Sequence, residues 1–499
     1  MKFFFLILTA LLFLAGCSSE QSTKFDLSSP IGRLASDIAQ RVDDPEFDNA
    51  NWGVLIRSLK TGETVYSLNA KKMFMPASNM KLFTTSSAMT LLGPDYRFTT
   101  RLVTNGAVKD SVLNGNIIFV GSGDPTISGR FNNGKVTETF EKWADSLRLL
   151  GIREVNGNII GDDNAFDEEY YGSGWQADDE TDYYAAQIGA VMFNDNCVNI
   201  RVAQSAKIAD VCSLSWTPNT RYVNIVNRTV TAPATDSVNT ISFQRVRGTN
   251  TIIVTGKLSV GKKIIEELIT VDNPTLYTMT VLKEVLESKG IRVTGVPLDV
   301  DDLKDSLRYD NAKHLASFVS VPYSMIAAET NKPSDNAYAE QTIRTVGNEL
   351  LLLGSMVTGR RAAFPLLSSW GVDTVRLRMA DGSGLSRMDL ITPTDAVSLL
   401  TGMYNGPNFL PFYESLPLGG VDGTLKRRMK GTKAEGNVHA KTGTIGYVRG
   451  LSGYVTSADG EMFVFSMLVN HYTVSTRKSE KLQDDVCAMI AGFSRTNPK

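Results

Sequence analysis

The chain has 499 residues, with 51 Lys plus Arg against 53 Asp plus Glu and a net charge of −2. A hydrophobic content of 42% excludes a disordered chain, and the lack of a basic excess argues against a nucleic-acid partner. Three His and four scattered Cys without a C-x-x-C pair give neither a zinc framework nor a disulfide scaffold, and leave few candidates for a His-based catalyst. At about 100–200 residues per domain, the length implies two to four domains.

The N-terminus has Lys2 ahead of an apolar run of 12 residues, Phe3 to Leu14. That run is shorter than the roughly 20 residues a spanning helix needs and has the length of a signal-peptide core. It ends in Leu14-Ala15-Gly16-Cys17, which resembles a bacterial lipobox. The expectation is a cleaved leader over 1–16, lipidation at Cys17 and a polar tether over 17–24. By resemblance to Gram-negative lipoproteins, Ser18 rather than Asp after the Cys favours the outer membrane, with the protein anchored in the periplasm. In that oxidising compartment Cys197 and Cys212 are a candidate disulfide, with two buried free thiols as the equal alternative.

Next in the chain comes Ser78-Asn79-Met80-Lys81, opening a stretch over 79–93 that reads as a helix stopped by Gly93-Pro94. Ser78 and Lys81, three apart, share one face of the first turn. A Ser hydroxyl is a weak nucleophile until a neighbour takes its proton, and a Lys with a lowered pKa can be that base. The region from about 100 to 310 reads mostly as short strands: 115–123, 157–163, 239–246 and 250–260 are β-branched and bounded by turns. One helix is predicted at 275–289. An acidic run from Asp162 to Asp182 lies within this region and reads first as a solvated face.

Ser334-Asp335-Asn336 reads as a loop entering a helix over 336–353, and a further helix is predicted at 394–404. Lys441-Thr442-Gly443-Thr444 lies in a predicted strand over 437–456, followed by a strand at 461–470 and a last helix at 478–492. Lys441 offers a fixed cation and Thr442 a hydroxyl for a carboxylate, and Gly443 lets the backbone approach a ligand.

Each motif alone is weak. Together and in this order they resemble the S-x-x-K, S-x-N and K-T-G set of penicillin-binding proteins and serine β-lactamases. The 256 residues between Ser78 and Ser334, against 107 between Ser334 and Lys441, mark a long insertion in the catalytic domain. That layout resembles the class C low-molecular-mass penicillin-binding proteins of the D-alanyl-D-alanine carboxypeptidase/endopeptidase type, the peptidase S13 family. Further matching strings are Gly121-Ser122-Gly123-Asp124-Pro125, Gly161-Asp162 with Phe166-Asp167, Gly174-Trp175, Asp381-Gly382-Ser383-Gly384-Leu385-Ser386-Arg387 and Gly420-Val421-Asp422-Gly423-Thr424-Leu425. The match departs in detail around 174–185 and 205–250.

The resemblance implies an α/β (α+β) catalytic domain, an antiparallel sheet with packed helices, over 25–99 and 311–499. It also implies two mostly-β accessory domains, one over 100–184 and 256–310 and a nested one over 185–255. It implies Ser78 as nucleophile, Lys81 as base kept neutral with help from the Lys441 cation, and Ser334 and Asn336 as proton relay and amide holder. Lys441, Thr442, Gly443 and Thr444 would bind the substrate, with the N–H groups of Ser78 and Thr444 as oxyanion hole. An Asp after the Gly-Trp pair would meet the amine of the peptide's diamino acid; Asp179 fits best and Asp178 is adjacent. The implied partners are peptidoglycan stem peptides and inhibitory β-lactams, with no metal or cofactor. A transpeptidase and a serine β-lactamase share the motifs, although no deacylating E-x-x-L-N string follows Ser334. A non-catalytic cell-wall-binding lipoprotein is the alternative of another class, and the intact motif residues argue against it.

Overall fold

The computed structural model describes residues 25–496; the leader, Cys17 and the tether lie outside the described residues. The strand Met462–Asn470 shows how the catalytic part is built. Its successive residues point to opposite faces, and both faces are covered. Phe463, Phe465, Met467 and Val469 enter one core, and Val464 and Leu468 enter the other. This strand is the centre of a five-stranded antiparallel sheet ordered His439–Ile445, Val448–Thr456, Met462–Asn470, Asn51–Ser58, Thr64–Leu68. The helices Pro30–Val42 and Thr476–Gly492 cover one face, joining the two ends of the described chain. The other face carries a helical layer that includes Met80–Leu91, Asn336–Leu351 and Pro393–Tyr404.

Met80–Leu91 is the hub of that layer, with every residue from Met80 to Met89 buried. A helix surrounded on all sides has no polar stripe, which is why its apolar spacing in the sequence is imperfect. Two of its threonine hydroxyls are bonded inward instead: Thr84 Oγ1 donates to the Gly382 carbonyl at 2.6 Å and Thr85 Oγ1 to that of Lys81 at 2.7 Å.

The inserted region forms four sheets in two parts. A mixed five-stranded sheet runs Pro297–Asp299, Ile159–Asp162, Ile117–Val120, Thr99–Thr104, Lys313–Val319, beside a four-stranded sheet that includes Glu154–Asn156 and Val112–Asn114. The helices Glu138–Leu149 and Pro274–Ser288 share their core. Two three-stranded sheets make the inner part, Ser213–Thr217/Cys197–Ala203/Ile265–Thr270 and Asn224–Ala232/Thr251–Ser259/Ser242–Arg245.

Pairing shifts two expected boundaries. Lys313–Val319 pairs with Thr99–Thr104, so the chain returns to the catalytic helices after 319 and not at 311. Ile265–Thr270 pairs with Cys197–Ala203, so the inner part continues to 270 and not 255. The expected single strand over 437–456 is a hairpin. Ile445 pairs with Val448 across a two-residue turn in which Tyr447 takes φ of +63°.

The candidate disulfide is absent: Cys197, Cys212 and Cys487 are buried free thiols. The ladder supplies the reason. Ser213 pairs with Ala203 and Thr217 with Asn199, which puts Cys212 at one end of this pairing and Cys197 at the other. Side chains separated by that many residues along a ladder cannot meet the roughly 4.4–6.8 Å Cα spacing a disulfide needs. Unfolding a chain that begins at residue 25 in denaturant without reductant should release three titratable thiols. Release of only one would restore the 197–212 bond.

Candidate active site

The turn Ala77–Asn79 runs directly into the helix Met80–Leu91 and sets Ser78 at the floor of a cleft of about 380 Å³. Ala77 holds φ of +46°, a strained conformation for a residue with a Cβ. Two glycines clamp this turn. A Cβ on Gly443 would stand 2.4 Å from the Pro76 carbonyl oxygen, and one on Gly384 would stand 1.9 Å from that of Ala77. Both positions admit only glycine, because each backbone presses on the turn that carries Ser78.

Lys81 is fully buried one turn on, and its Nζ has three neighbours: Ser78 Oγ at 3.0 Å, Asn336 Oδ1 at 2.6 Å and the Ser383 carbonyl at 2.7 Å. The amide of Asn336 has its orientation fixed, since its Nδ2 donates to the Tyr184 carbonyl at 2.8 Å. Oδ1 and the carbonyl can only accept. Lys81 donates to all three neighbours, Ser78 Oγ included; on losing a proton the amine can keep two N–H groups on Oδ1 and the carbonyl and turn its lone pair to the Ser78 hydroxyl. The cage is therefore compatible with a general base. Burial pushes the Lys81 amine down to about 8, against the opposing pull of Asp381, Asp335, Glu340 and Asp389. Burial, and not the Lys441 cation, is the main cause.

Lys441 is also fully buried. Its Nζ donates to Ser334 Oγ at 2.9 Å and to the Thr442 carbonyl at 2.9 Å. Burial, then the charge of Lys81, holds its amine well below the ordinary lysine range. Ser334 sits at φ of +68° at the mouth of the helix Asn336–Leu351, which Asp335 caps by accepting from the Tyr338 N–H. Thr442 Oγ1 donates to Thr424 Oγ1 at 2.7 Å, and both residues line the cleft with Thr444.

Asp179 also lines the cleft, and its Oδ1 accepts from the Tyr184 hydroxyl at 3.0 Å. Asp178 is 99% exposed and pairs with Arg247, outside the cleft. Ser78, Ser334, Asn336, Thr442, Thr444 and Asp179 thus share one cleft wall or floor, with Lys81 and Lys441 beneath it. None of the three His lines it.

Sequence reasoning left several residues without a role. Glu340, fully buried, accepts at Oε1 from the N–H groups of Gly382 and Ser383, each at 2.8 Å. Asp381 accepts from Gly384 N–H at 2.6 Å, Ser386 N–H at 2.7 Å and Trp175 Nε1 at 2.8 Å. Asp389 accepts from Ala380 N–H at 2.6 Å. These carboxyls tie down the loop that offers the Ser383 carbonyl to Lys81. Burial and neighbouring Asp381 push Glu340 up to about 7, and the same two causes hold Asp389 well above the carboxylate range. The Gly174-Trp175 string does its work here, anchoring the insertion to this loop. Arg387 lines the cleft and donates to the Gly446 carbonyl at 3.2 Å.

Residues 34–491 match the D-Ala-D-Ala carboxypeptidase 3 (S13) family. The chain is 35% identical over 478 residues to a D-alanyl-D-alanine carboxypeptidase of Actinomadura sp. (strain R39), covering 92% of this chain and 85% of that one. It is 25% identical over 462 residues to the D-alanyl-D-alanine carboxypeptidase DacB of Haemophilus influenzae, covering 92% of each. Its fold matches the crystal structure of penicillin binding protein 4 from Haemophilus influenzae with a TM-score of 0.77, at 24% identity, over 91% of this chain and 97% of that one.

The cage sets a pH dependence. Lys81 must be neutral to accept the Ser78 proton, so the acylation rate should rise with pH through about 8 and then level. Glu340→Gln keeps an Oε1 acceptor for the two N–H groups and removes a charge that favours the lysine cation. Its acylation profile should move to lower pH in stopped-flow measurements, and an upward or absent move contradicts this electrostatics.

Proposed function

Because this chain belongs to the D-Ala-D-Ala carboxypeptidase 3 (S13) family, we propose that it removes the terminal D-alanine of peptidoglycan stem peptides through an acyl-enzyme on Ser78. The observation that carries the reading is the buried Lys81 amine 3.0 Å from Ser78 Oγ, held by Asn336 Oδ1 and the Ser383 carbonyl.

Ser78 Oγ attacks the carbonyl between the two D-alanines while Lys81 Nζ takes its proton. The oxyanion forms against the backbone N–H groups of Ser78 and Thr444, each worth about 3–4 kcal/mol in the transition state. The substrate's carboxylate lies toward Lys441, Thr442 and Ser334. Its charge offsets the cost of a cation at Lys441, whose amine burial holds well below the ordinary lysine range. As the C–N bond breaks, the proton Lys81 took is relayed through Ser334, hydrogen-bonded to Lys441 at 2.9 Å, to the leaving amine, which returns Lys81 to its neutral form. D-Alanine departs, water attacks the ester, and Lys81 again removes the proton. Asn336 holds Lys81 through Oδ1. Asp179, on the cleft wall beside Tyr184, is placed for the amine of the diamino acid. A β-lactam presents a strained amide to the same Ser78 and leaves a slowly hydrolysed ester.

Two experiments follow. Fluorescent penicillin should label the chain covalently, and Ser78→Ala should abolish both the label and D-alanine release from a D-Ala-D-Ala peptide. Labelling that persists in the variant defeats the nucleophile assignment. Separation of the muropeptides released from purified sacculi then distinguishes terminal trimming from cross-link cleavage.

The lipobox-like string supports a second proposal, that Cys17 carries acyl chains holding the enzyme at the periplasmic face of the outer membrane. Among the described residues no helix is long and apolar enough to cross a membrane. Radioactive palmitate should label the chain, and Cys17→Ala should remove the label; equal labelling of the variant rules the anchor out.

A further inference from the structure

Arg130 belongs to the insertion, in the stretch between the strand Ile117–Val120 and the helix Glu138–Leu149. Its side chain leaves the insertion and reaches the Ser334-Asp335-Asn336 turn. Nη2 donates to Asp335 Oδ2 at 2.7 Å. Nε and Nη2 both donate to Asp195 Oδ2, at 3.0 and 2.8 Å. The guanidinium stands over the Tyr338 ring, 5.4 Å from its centroid, and Glu329 approaches it at 3.6 Å.

Asp335 is fixed from both sides, since its other oxygen caps the catalytic helix at the Tyr338 N–H. The residues flanking it in sequence carry the chemistry. Ser334 reaches Lys441 and Asn336 reaches Lys81. The two turns that Arg130 bridges are both strained. Ser334 has φ of +68°, and Asn194, Asp195 and Asn196 have φ of +49°, +56° and +52°. Such conformations persist where the surroundings over-determine them. The Arg130 backbone is itself held, its N–H donating to Ser128 Oγ at 3.2 Å and Asn132 Nδ2 donating to the Ser128 carbonyl at 2.8 Å.

From this geometry we propose that Arg130 is a positioning residue, through which the insertion holds Ser334 and Asn336 in register with the two lysines and cancels the charge of Asp335 beside Lys81. The inference rests on the Ser78 acyl-enzyme reading. The charges facing Arg130 are Asp335, Asp195 and Glu329. Those acting on Lys81 are Asp381, Asp335, Glu340 and Asp389, which favour its cation. Without Arg130, Asp335 acts on Lys81 uncompensated, and the base deprotonates at higher pH.

The test is the second-order acylation rate with benzylpenicillin across pH, with thermal unfolding, for wild type, Arg130→Met and Arg130→Lys. Arg130→Met should acylate about tenfold more slowly or worse, as displaced catalytic groups do, with its half-maximal rate at higher pH. Arg130→Lys should restore the pH midpoint through its charge. It should stay several-fold slow, because an ammonium lacks the planar fork that spans both carboxylates. A purely structural role lowers the unfolding temperature and leaves the rate and pH midpoint of the folded protein at wild-type values, and that result overturns the proposal. If Arg130→Met does not fold, a wild-type rate in Arg130→Lys overturns it alone. Ser78→Ala in the same assay separates the two readings: residual acylation there sinks the Ser78 reading, and a dead Ser78→Ala beside a normal Arg130→Met sinks only this one.

Discussion

The structure is organised around one constraint, a lysine amine with no exposure that must lack a proton at the moment it is used. Lys81 Nζ has two neighbours that can only accept and one that can give. The ammonium donates to all three, and the amine left after deprotonation keeps two of those bonds and can turn its lone pair to the hydroxyl. Water in that pocket would solvate the ammonium and return it to its ordinary range. The burial of the helix Met80–Leu91 on every side is thus a chemical requirement as well as a packing result.

Each partner of Lys81 is delivered by a different part of the chain. Ser78 comes from the strained turn that Gly384 and Gly443 press from two sides. Asn336 is the first residue of a second buried helix. Ser383 comes from a loop whose N–H groups are bound by Glu340 and Asp381. The insertion reaches the last two. Tyr184 orients the Asn336 amide, Trp175 and Ser173 bind the Asp381–Ser386 loop, and Arg130 holds Asp335. The accessory sheets form part of the wall and the scaffold of the cleft.

Much of this was legible in the sequence where function depends on local spacing. Ser78 and Lys81 meet because three residues make most of a helical turn. The strands at 117–120, 159–162, 242–245 and 251–259 show as β-branched runs. Pairing was less legible. Nothing in Lys313–Val319 or Ile265–Thr270 says which strand each will join, so the boundaries at 311 and 255 fell short. The hairpin at 446–447 was hidden because Tyr447 occupies a left-handed position where Asn or Gly would have signalled a turn. Glu340, Asp389 and Arg130 read as ordinary charged residues, and Asp381 showed only as part of a matching string with no role attached. Their roles come from contacts between segments far apart in the chain. The scarcity of His takes on a positive sense beside them, since the proposed proton transfers run between lysines and serines.

The central claim is that burial lowers the Lys81 amine far enough for it to lose its proton near working pH. Its most direct measurement is the titration of its side-chain carbon next to the amine, followed by NMR in a lysine-labelled chain and assigned with Lys81→Met. The account predicts a midpoint of about 8. A midpoint at the ordinary lysine value of about 10.4 would leave the base charged at working pH and contradict it.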